Sequence, residues 1–180
     1  MSWVFVCGPS GSGKDSVMAC ARELLIAHDN IVFARRIVTR PVQPGSDHDP
    51  QTDLQFEQAL RDQAVCWHWQ AHGFFYGIDS RYTQAVRDGQ VVVVNASRAH
   101  VESLSPSAGF SVVEISVEPA QLALRLSQRG RDSESSQALR LARNASFSSI
   151  RADCVVDNSK ALADAGRALA DYLLQVFGKA

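Results

Sequence analysis

An α/β fold with a central parallel sheet flanked by helices is predicted by three features of the sequence. Runs rich in Val, Ile and Phe alternate with amphipathic helical stretches from end to end, the pattern of stacked strand–helix–strand units. A glycine-rich turn joins the first strand to the first helix, and the most strongly β segment, Val91-Val-Val-Val94, has the unbroken apolar character of an interior parallel strand. The 180 residues suffice for one buried core, and 46% hydrophobic with 21% charged residues is the balance of a globular chain. Eighteen basic side chains stand against nineteen acidic ones, so neither nucleic acid nor a membrane is an expected partner. The partners should be small molecules.

Taken in order, residues 3–7 form the first strand, and Val17, Met18, Ala21, Leu24 and Leu25 share one face of a helix over 14–27. Residues 31–38 read as one second strand. The stretch 41–50 holds Pro41, Pro44, Gly45 and Pro50 and reads as a loop. Thr52 with Gln55 forms a capping box for a short helix through Leu60. Residues 65–70 and 74–78 flank Ala71-His72-Gly73 as a hairpin, after which Asp79-Ser80 opens a helix that Gly89 closes. Residues 91–94 and 110–117 are further strands, and Pro119 marks the first turn of the next helix. Cys154 to Val156 is a last strand, before a closing helix over 161–177 with Leu162, Ala165, Leu169, Leu173 and Val176 on one side.

Cys7, Cys20, Cys66 and Cys154 are scattered, without a C-x-x-C pair, and read as reduced thiols. The first residues lack a basic leader and Gly8 ends their apolar run, so a cytoplasmic location is expected.

The chemistry begins at Gly8-Pro9-Ser10-Gly11-Ser12-Gly13-Lys14, which matches G-x-x-x-x-G-K between a predicted strand and a predicted helix. Glycines let successive N–H groups turn inward around phosphate oxygens, the helix N-terminus adds positive potential, and Lys14 reaches the outer phosphates of a nucleoside triphosphate. Residues Gly8 through Ser16 are the expected ATP-binding set. Asp15 stands where a hydroxyl usually touches Mg²⁺, and a carboxylate beside triphosphate is tolerable when a cation lies between them. Asp15 is therefore a candidate metal ligand, with Ser16 as the alternative. The strand at 91–94 ends in Asn95-Ala96-Ser97 with no acid, as if the metal-orienting carboxylate had moved to the loop.

Fifteen of the 18 basic residues are arginine, and six of those, Arg125, Arg129, Arg131, Arg140, Arg143 and Arg151, lie in the polar segment 125–151. Such a flap, carrying guanidinium groups over a triphosphate, would exclude water and offset developing charge, while a solvated hairpin paired with Asp132 and Glu134 is the alternative. Arg36, Thr39 and Arg40 end the second strand, beyond which ligands of parallel sheets sit, and are placed to grip an acceptor phosphate. His48, between Asp47 and Asp49, is a candidate for the acceptor's sugar hydroxyls or else a solvated loop histidine. Trp67, Trp69, Phe74 and Phe75 wall the acceptor pocket or pack a small lobe.

The P-loop, Thr39-Arg40-Pro41 followed by Gly45, Gly73-Phe-Phe-Tyr76-Gly77 and the arginine-rich segment together resemble the guanylate kinase family from about residue 2 to 158. That resemblance implies a core of 1–34, 79–124 and 152–180, an acceptor-binding region of 35–78 and a lid of 125–151. It further implies Arg40 and Tyr76 as acceptor-phosphate ligands, Lys14 as the P-loop lysine, and Arg129, Arg131, Arg140 and Arg143 as catalytic lid arginines. Trp67 and Ile78 replace the polar residues that would read guanine, Gln43 replaces a phosphate-holding Arg, and Asn95 and Ser97 replace an acidic pair. An unpartnered guanine edge would lose about 1 to 3 kcal/mol for each missing hydrogen bond, so GMP is disfavoured. G-P-S-G-S-G-K-D-S, T-R-P, Asp47-His48-Asp49 and R-L-S-Q-R-G-R-D are more similar to the ribose 1,5-bisphosphate phosphokinases of phosphonate breakdown. This implies transfer of the γ-phosphoryl group of ATP, with Mg²⁺, to a sugar 1-phosphate. A phosphate acceptor is already anionic at neutral pH, so alignment and charge neutralisation suffice without a general base.

Overall fold

The computed structural model describes residues 2–42, 47–71, 73–104, 109–128 and 151–178. Among them the order is β1 (Ser2–Cys7), α1 (Lys14–Leu24), β2 (Ile31–Phe33), β3 (Arg36–Val38), β4 (His48–Pro50), α2 (Asp53–Arg61), β5 (Val65–Ala71) and β6 (Phe74–Asp79). There follow α3 (Arg81–Arg87), β7 (Val91–Asn95), α4 (Arg98–Ser103), β8 (Phe110–Ser116), α5 (Pro119–Gln128), β9 (Cys154–Asp157) and α6 (Leu162–Phe177).

Five strands form a parallel sheet in the order β2-β7-β1-β8-β9, and four form a second sheet in the order β4-β3-β6-β5. Side-chain alternation along β1 divides the core. Val4 and Val6 point to α1 and α6, into a cluster with Val17, Ala21, Leu169 and Leu173. Trp3, Phe5 and Cys7 point the other way, into a cluster shared with Val92, Val94, Tyr82 and the second sheet's Trp69, Tyr76 and Ile78. The second sheet is thereby anchored to the parallel sheet through a common apolar layer, which holds its position relative to the phosphate loop.

Helices α1 and α6 meet closely because Gly166 has no side chain: a Cβ there would lie 2.7 Å from the Cβ of Cys20. Gly166→Ala is expected to reduce stability by about 1–3 kcal/mol through overpacking, measured by urea denaturation. A loss below about 0.5 kcal/mol would show that this helix pair has slack.

The structure corrects several boundaries. The single strand expected over 31–38 is two strands in two sheets. Ala34 still donates its N–H to Val93 O at 2.8 Å, but Arg35 N–H turns to Tyr82 Oη at 3.0 Å, and β3 continues in the second sheet. The expected loop 41–50 contains β4, which pairs in parallel with β3 as an edge strand, where the missing N–H of Pro50 is tolerated. Helix α1 stops at Leu24 rather than at 27, and α4 was not expected at all. On α6 the buried face is Ala165, Gly166, Leu169, Ala170 and Leu173, while Leu162 is exposed. The described cysteines are free thiols, and burial pushes the thiol of Cys7 up to about 12. Among the described residues no helix is long and apolar enough to cross a membrane.

Candidate active site

The loop between β1 and α1 lies at the carboxyl end of the parallel sheet's central strand. Gly11 and Gly13 have φ of 90° and 77°, the left-handed conformation that turns backbone N–H groups inward, and Lys14 is the first residue of α1. A Cβ at Gly13 would come 2.6 Å from Asn158 Nδ2. The reason for that crowding is a brace behind the loop. Asn158 Nδ2 donates to Ser12 O at 2.7 Å, Arg125 Nη1 donates to the same carbonyl at 3.4 Å, and Arg125 Nη2 donates to Asn158 O at 2.8 Å. Two elements remote in sequence thus fix the rear of the loop, and within it Ser12 N–H donates to Pro9 O at 3.1 Å.

Arg125, grouped with the flap in the sequence, is therefore engaged with the loop backbone. Arg125→Met is expected to raise KM for ATP about tenfold, with KM for the acceptor changed less than twofold, in steady-state assays. An effect confined to the acceptor would contradict a brace. Of the other expected flap residues, Arg129, Arg131, Arg140 and Arg143 lie outside the described residues, as do Gln43 and His72, while Arg151 is exposed just before β9.

Asp15 sits one residue into α1, its side chain 76% exposed. It accepts a hydrogen bond from Asn95 Nδ2 and lies 3.8 Å from Arg36 Nη2. Asn95 ends β7, so the strand end and the loop helix meet with the amide on the strand and the carboxylate on the helix. Asn95 is buried, and its Oδ1 has no hydrogen-bond partner among the described residues. Asp15, Ser16, Arg22, Arg35, Arg36, Asp47 and Asn95, with Met18 and Phe33 among the apolar lining, bound an open cleft of about 510 Å³.

Arg36 carries the charge on the far side of that cleft. Its side chain is largely buried and its guanidinium lies 5.9 Å from the centroid of the Tyr76 ring. Burial lowers its pKa, opposed by Asp15 and Tyr76, yet a guanidinium at such a site stays protonated near neutrality. Thr39 and Arg40 follow β3 directly. Thr39 Oγ1 accepts from Phe75 N–H at 3.0 Å, which ties the end of β3 to β6, and the Nε of Arg40 is buried without a partner among the described residues.

His48 has a different place from the one expected. It is 1% exposed and its Nε2 lies 3.0 Å from Arg40 O. A carbonyl only accepts, so Nε2 carries the proton, and the ring holds the Arg40 backbone. The flanking acids bind Arg35 instead: its Nε donates to Asp49 at 2.5 Å and its Nη1 to Asp47 at 2.7 Å, while its Nη2 donates to His48 O at 3.0 Å. Those bonds hold β4 against β3 and raise the pKa of Arg35.

The aromatic residues pack the lobe. Trp67 meets Trp3 and Phe5 edge-on at 5.9 and 5.3 Å, and Trp69 stacks on Tyr76 at 5.5 Å and on His100 at 4.6 Å. Sequence reasoning missed Asn158, Arg35 and His100. For His100 a signal existed: Ser97 caps α4 by accepting from His100 N–H at 3.1 Å, but a six-residue helix shows too little periodicity to be read.

A ribose 1,5-bisphosphate phosphokinase PhnN of Pseudofrankia inefficax is 41% identical over 181 residues, covering 98% of this chain and 93% of the relative. Proteins of the same name from Acidiphilium cryptum and Brucella melitensis are 40% and 38% identical, covering 96% and 97% of this chain and 92% of each relative. No family model matches the chain. Among solved structures, a guanylate kinase from Anaplasma phagocytophilum superimposes with a TM-score of 0.67 at 16% identity, covering 97% of this chain and 85% of that one. At that identity the likeness concerns the fold, which is the guanylate kinase-like α/β architecture.

Proposed function

The chain belongs to the ribose 1,5-bisphosphate phosphokinase family, and from that premise we propose how its residues carry a phosphoryl group from ATP to ribose 1,5-bisphosphate. The chain is an enzyme, a kinase of small phosphorylated molecules. In the proposed reaction an oxygen of the sugar 1-phosphate attacks the γ-phosphorus of ATP, the bond to the β-phosphate oxygen breaks, and 5-phosphoribosyl 1-diphosphate and ADP leave. Phosphonate degradation in the cytoplasm is its proposed setting.

One observation supports this reading above the others: Asp15, which follows the phosphate loop, and Arg36, at the start of the acceptor-side segment, lie 3.8 Å apart and line one cleft. Two anions meeting in that cleft face cations from both sides. The loop N–H groups and Lys14 take the donor phosphates, while Arg36, Arg40 and Tyr76 take the acceptor phosphate, with Thr39 and His48 holding the segment that carries Arg40. No side chain has to remove a proton from an acceptor that is already ionised.

The oxygen groups beside the loop fit Mg²⁺. Asp15, Ser16 and Asn95 Oδ1 are hard donors, and among the described residues that Oδ1 has no hydrogen-bond partner and no cluster of three or more His, Cys, Asp or Glu exists. That set suits a cation held chiefly by substrate phosphates with one or two protein oxygens. When bound, the ion would neutralise charge on the transferred group; Asp15 and Asn95 would orient its coordination.

A guanylate kinase activity is disfavoured because Trp67 is packed on Trp3 and Phe5 and Ile78 is fully buried, so neither offers a polar group to a base. The test is ADP formation with Mg²⁺ and ATP across a panel of ribose 1,5-bisphosphate, ribose 5-phosphate, GMP and AMP. Turnover is expected with the bisphosphate at least 100-fold above the others. Preferred turnover of a nucleotide would overturn the assignment.

A further inference from the structure

One buried polar side chain near the site has no task in the reaction described above. His100, in α4, is 6% exposed, and its Nε2 has no hydrogen-bond partner among the described residues. Its backbone is fully used: the N–H donates to Ser97 Oγ at 3.1 Å, and the carbonyl accepts from Ser103 Oγ at 2.6 Å. Phe5 and Trp67 stand edge-on to the ring at 5.8 and 6.4 Å. In such apolar company the imidazole stays neutral, its pKa pushed down to about 4 by burial and by His68.

The ring also belongs to a row. His100 lies at 19° to the plane of Trp69, Trp69 at 8° to Tyr76, and the Arg36 guanidinium lies over Tyr76. The row starts at α4, just past the carboxyl end of β7, and ends at the cleft that Arg36 shares with Asp15 and Asn95. Carboxyl ends of parallel strands are where such folds hold ligands. The arginine end of the row suits a phosphate. The histidine end, neutral and enclosed by aromatic rings, suits an uncharged hydrogen-bonding group, because a phosphate there would lose its water without gaining a cation.

We propose that the His100–Trp69–Tyr76 row is the sugar-facing wall of the acceptor site, and that His100 is a specificity-determining residue whose Nε2 hydrogen-bonds a ring hydroxyl of the acceptor. The proposal rests on the sugar-bisphosphate reading above. It explains why the ring nitrogen is buried without a partner among the described residues, since a substrate hydroxyl would pair it. It also gives the site a means of rejecting acceptors that lack the hydroxyl.

The test crosses a residue change with a substrate change. Wild type, His100→Phe, which keeps the flat ring, and His100→Gln, which keeps a polar tip, are assayed with ribose 1,5-bisphosphate and with its 2-deoxy and 3-deoxy analogues. Thermal melting checks that each variant is folded, and the glutamine variant carries the test if the phenylalanine variant is not. His100→Phe should lower kcat/KM for the natural sugar about 10- to 100-fold while leaving KM for ATP unchanged. One deoxy analogue should be about as poor for wild type, and removing both partners should cost little more than removing one. His100→Gln should recover part of the loss. Multiplying penalties for both analogues, or unchanged acceptor kinetics in a folded variant, would overturn the role of His100 while leaving the kinase reading intact. Absence of turnover of ribose 1,5-bisphosphate by wild type would overturn both.

Discussion

Replacing Lys14 by Met is expected to lower kcat for ADP formation about 1,000-fold, with KM for the acceptor within threefold of wild type. The lysine begins α1 at the mouth of the phosphate loop, where in the proposed reaction its charge would lie beside the phosphate oxygens that gain charge as the bond to the leaving phosphate lengthens. Loss of one preorganised donor to developing charge typically removes on the order of 10²–10³ in rate. A methionine fills much the same volume, so the loop held by Arg125 and Asn158 should keep its shape. Single-turnover kinetics would separate chemistry from binding. A loss of less than tenfold would mean that the triphosphate is held elsewhere.

Asp15→Asn should produce the second large effect. The amide can still accept the hydrogen bond from Asn95, so the change removes charge with little change of shape. Half-saturation by Mg²⁺ is expected to rise about tenfold, and kcat at saturating metal to fall about tenfold, because a carboxylate is the stronger ligand for a hard cation. Arg36 simultaneously loses its anionic neighbour at 3.8 Å. Titrating activity against Mg²⁺ for Asp15→Asn and Ser16→Ala compares the two candidate ligands directly. Unaltered rate and metal dependence in Asp15→Asn would remove that residue from the metal's surroundings, and a larger effect in Ser16→Ala would transfer the role to the hydroxyl.

Much of the fold was legible because it depends on local signals. The apolar run of β1, the glycines after it and the period of α1 announce a strand, a phosphate loop and a helix within 24 residues. Thr52 with Gln55 forms the expected capping box, with both reciprocal bonds present. What failed depends on contacts across the chain. Nothing in Ala34-Arg35 breaks a strand, and the switch between sheets there is made by Tyr82 Oη, 47 residues away. The prolines of 41–50 hid β4, whose pairing is set by Arg35 reaching Asp47, Asp49 and the carbonyl of His48.

The candidate site divides the same way. The P-loop residues and Arg36 could be picked out by motif and by position at a strand end. The brace behind the loop could not, because Arg125 and Ser12 are separated by 113 positions. His48 was found as a residue of interest, but only its burial reveals that it holds Arg40 in place of facing solvent. Asn95 was noted as a missing acid; its hydrogen bond to Asp15 makes it one half of an exchanged pair.

The central claim is that an acceptor phosphate, and no hydroxyl, receives the transferred group. Phosphorus-31 NMR of the product formed from ATP and ribose 1,5-bisphosphate reads this without an auxiliary enzyme. The account predicts a pair of mutually coupled resonances from a diphosphate on C1, with the 5-phosphate resonance unshifted. Three uncoupled monoester resonances, signifying phosphorylation of a ring hydroxyl, would contradict it.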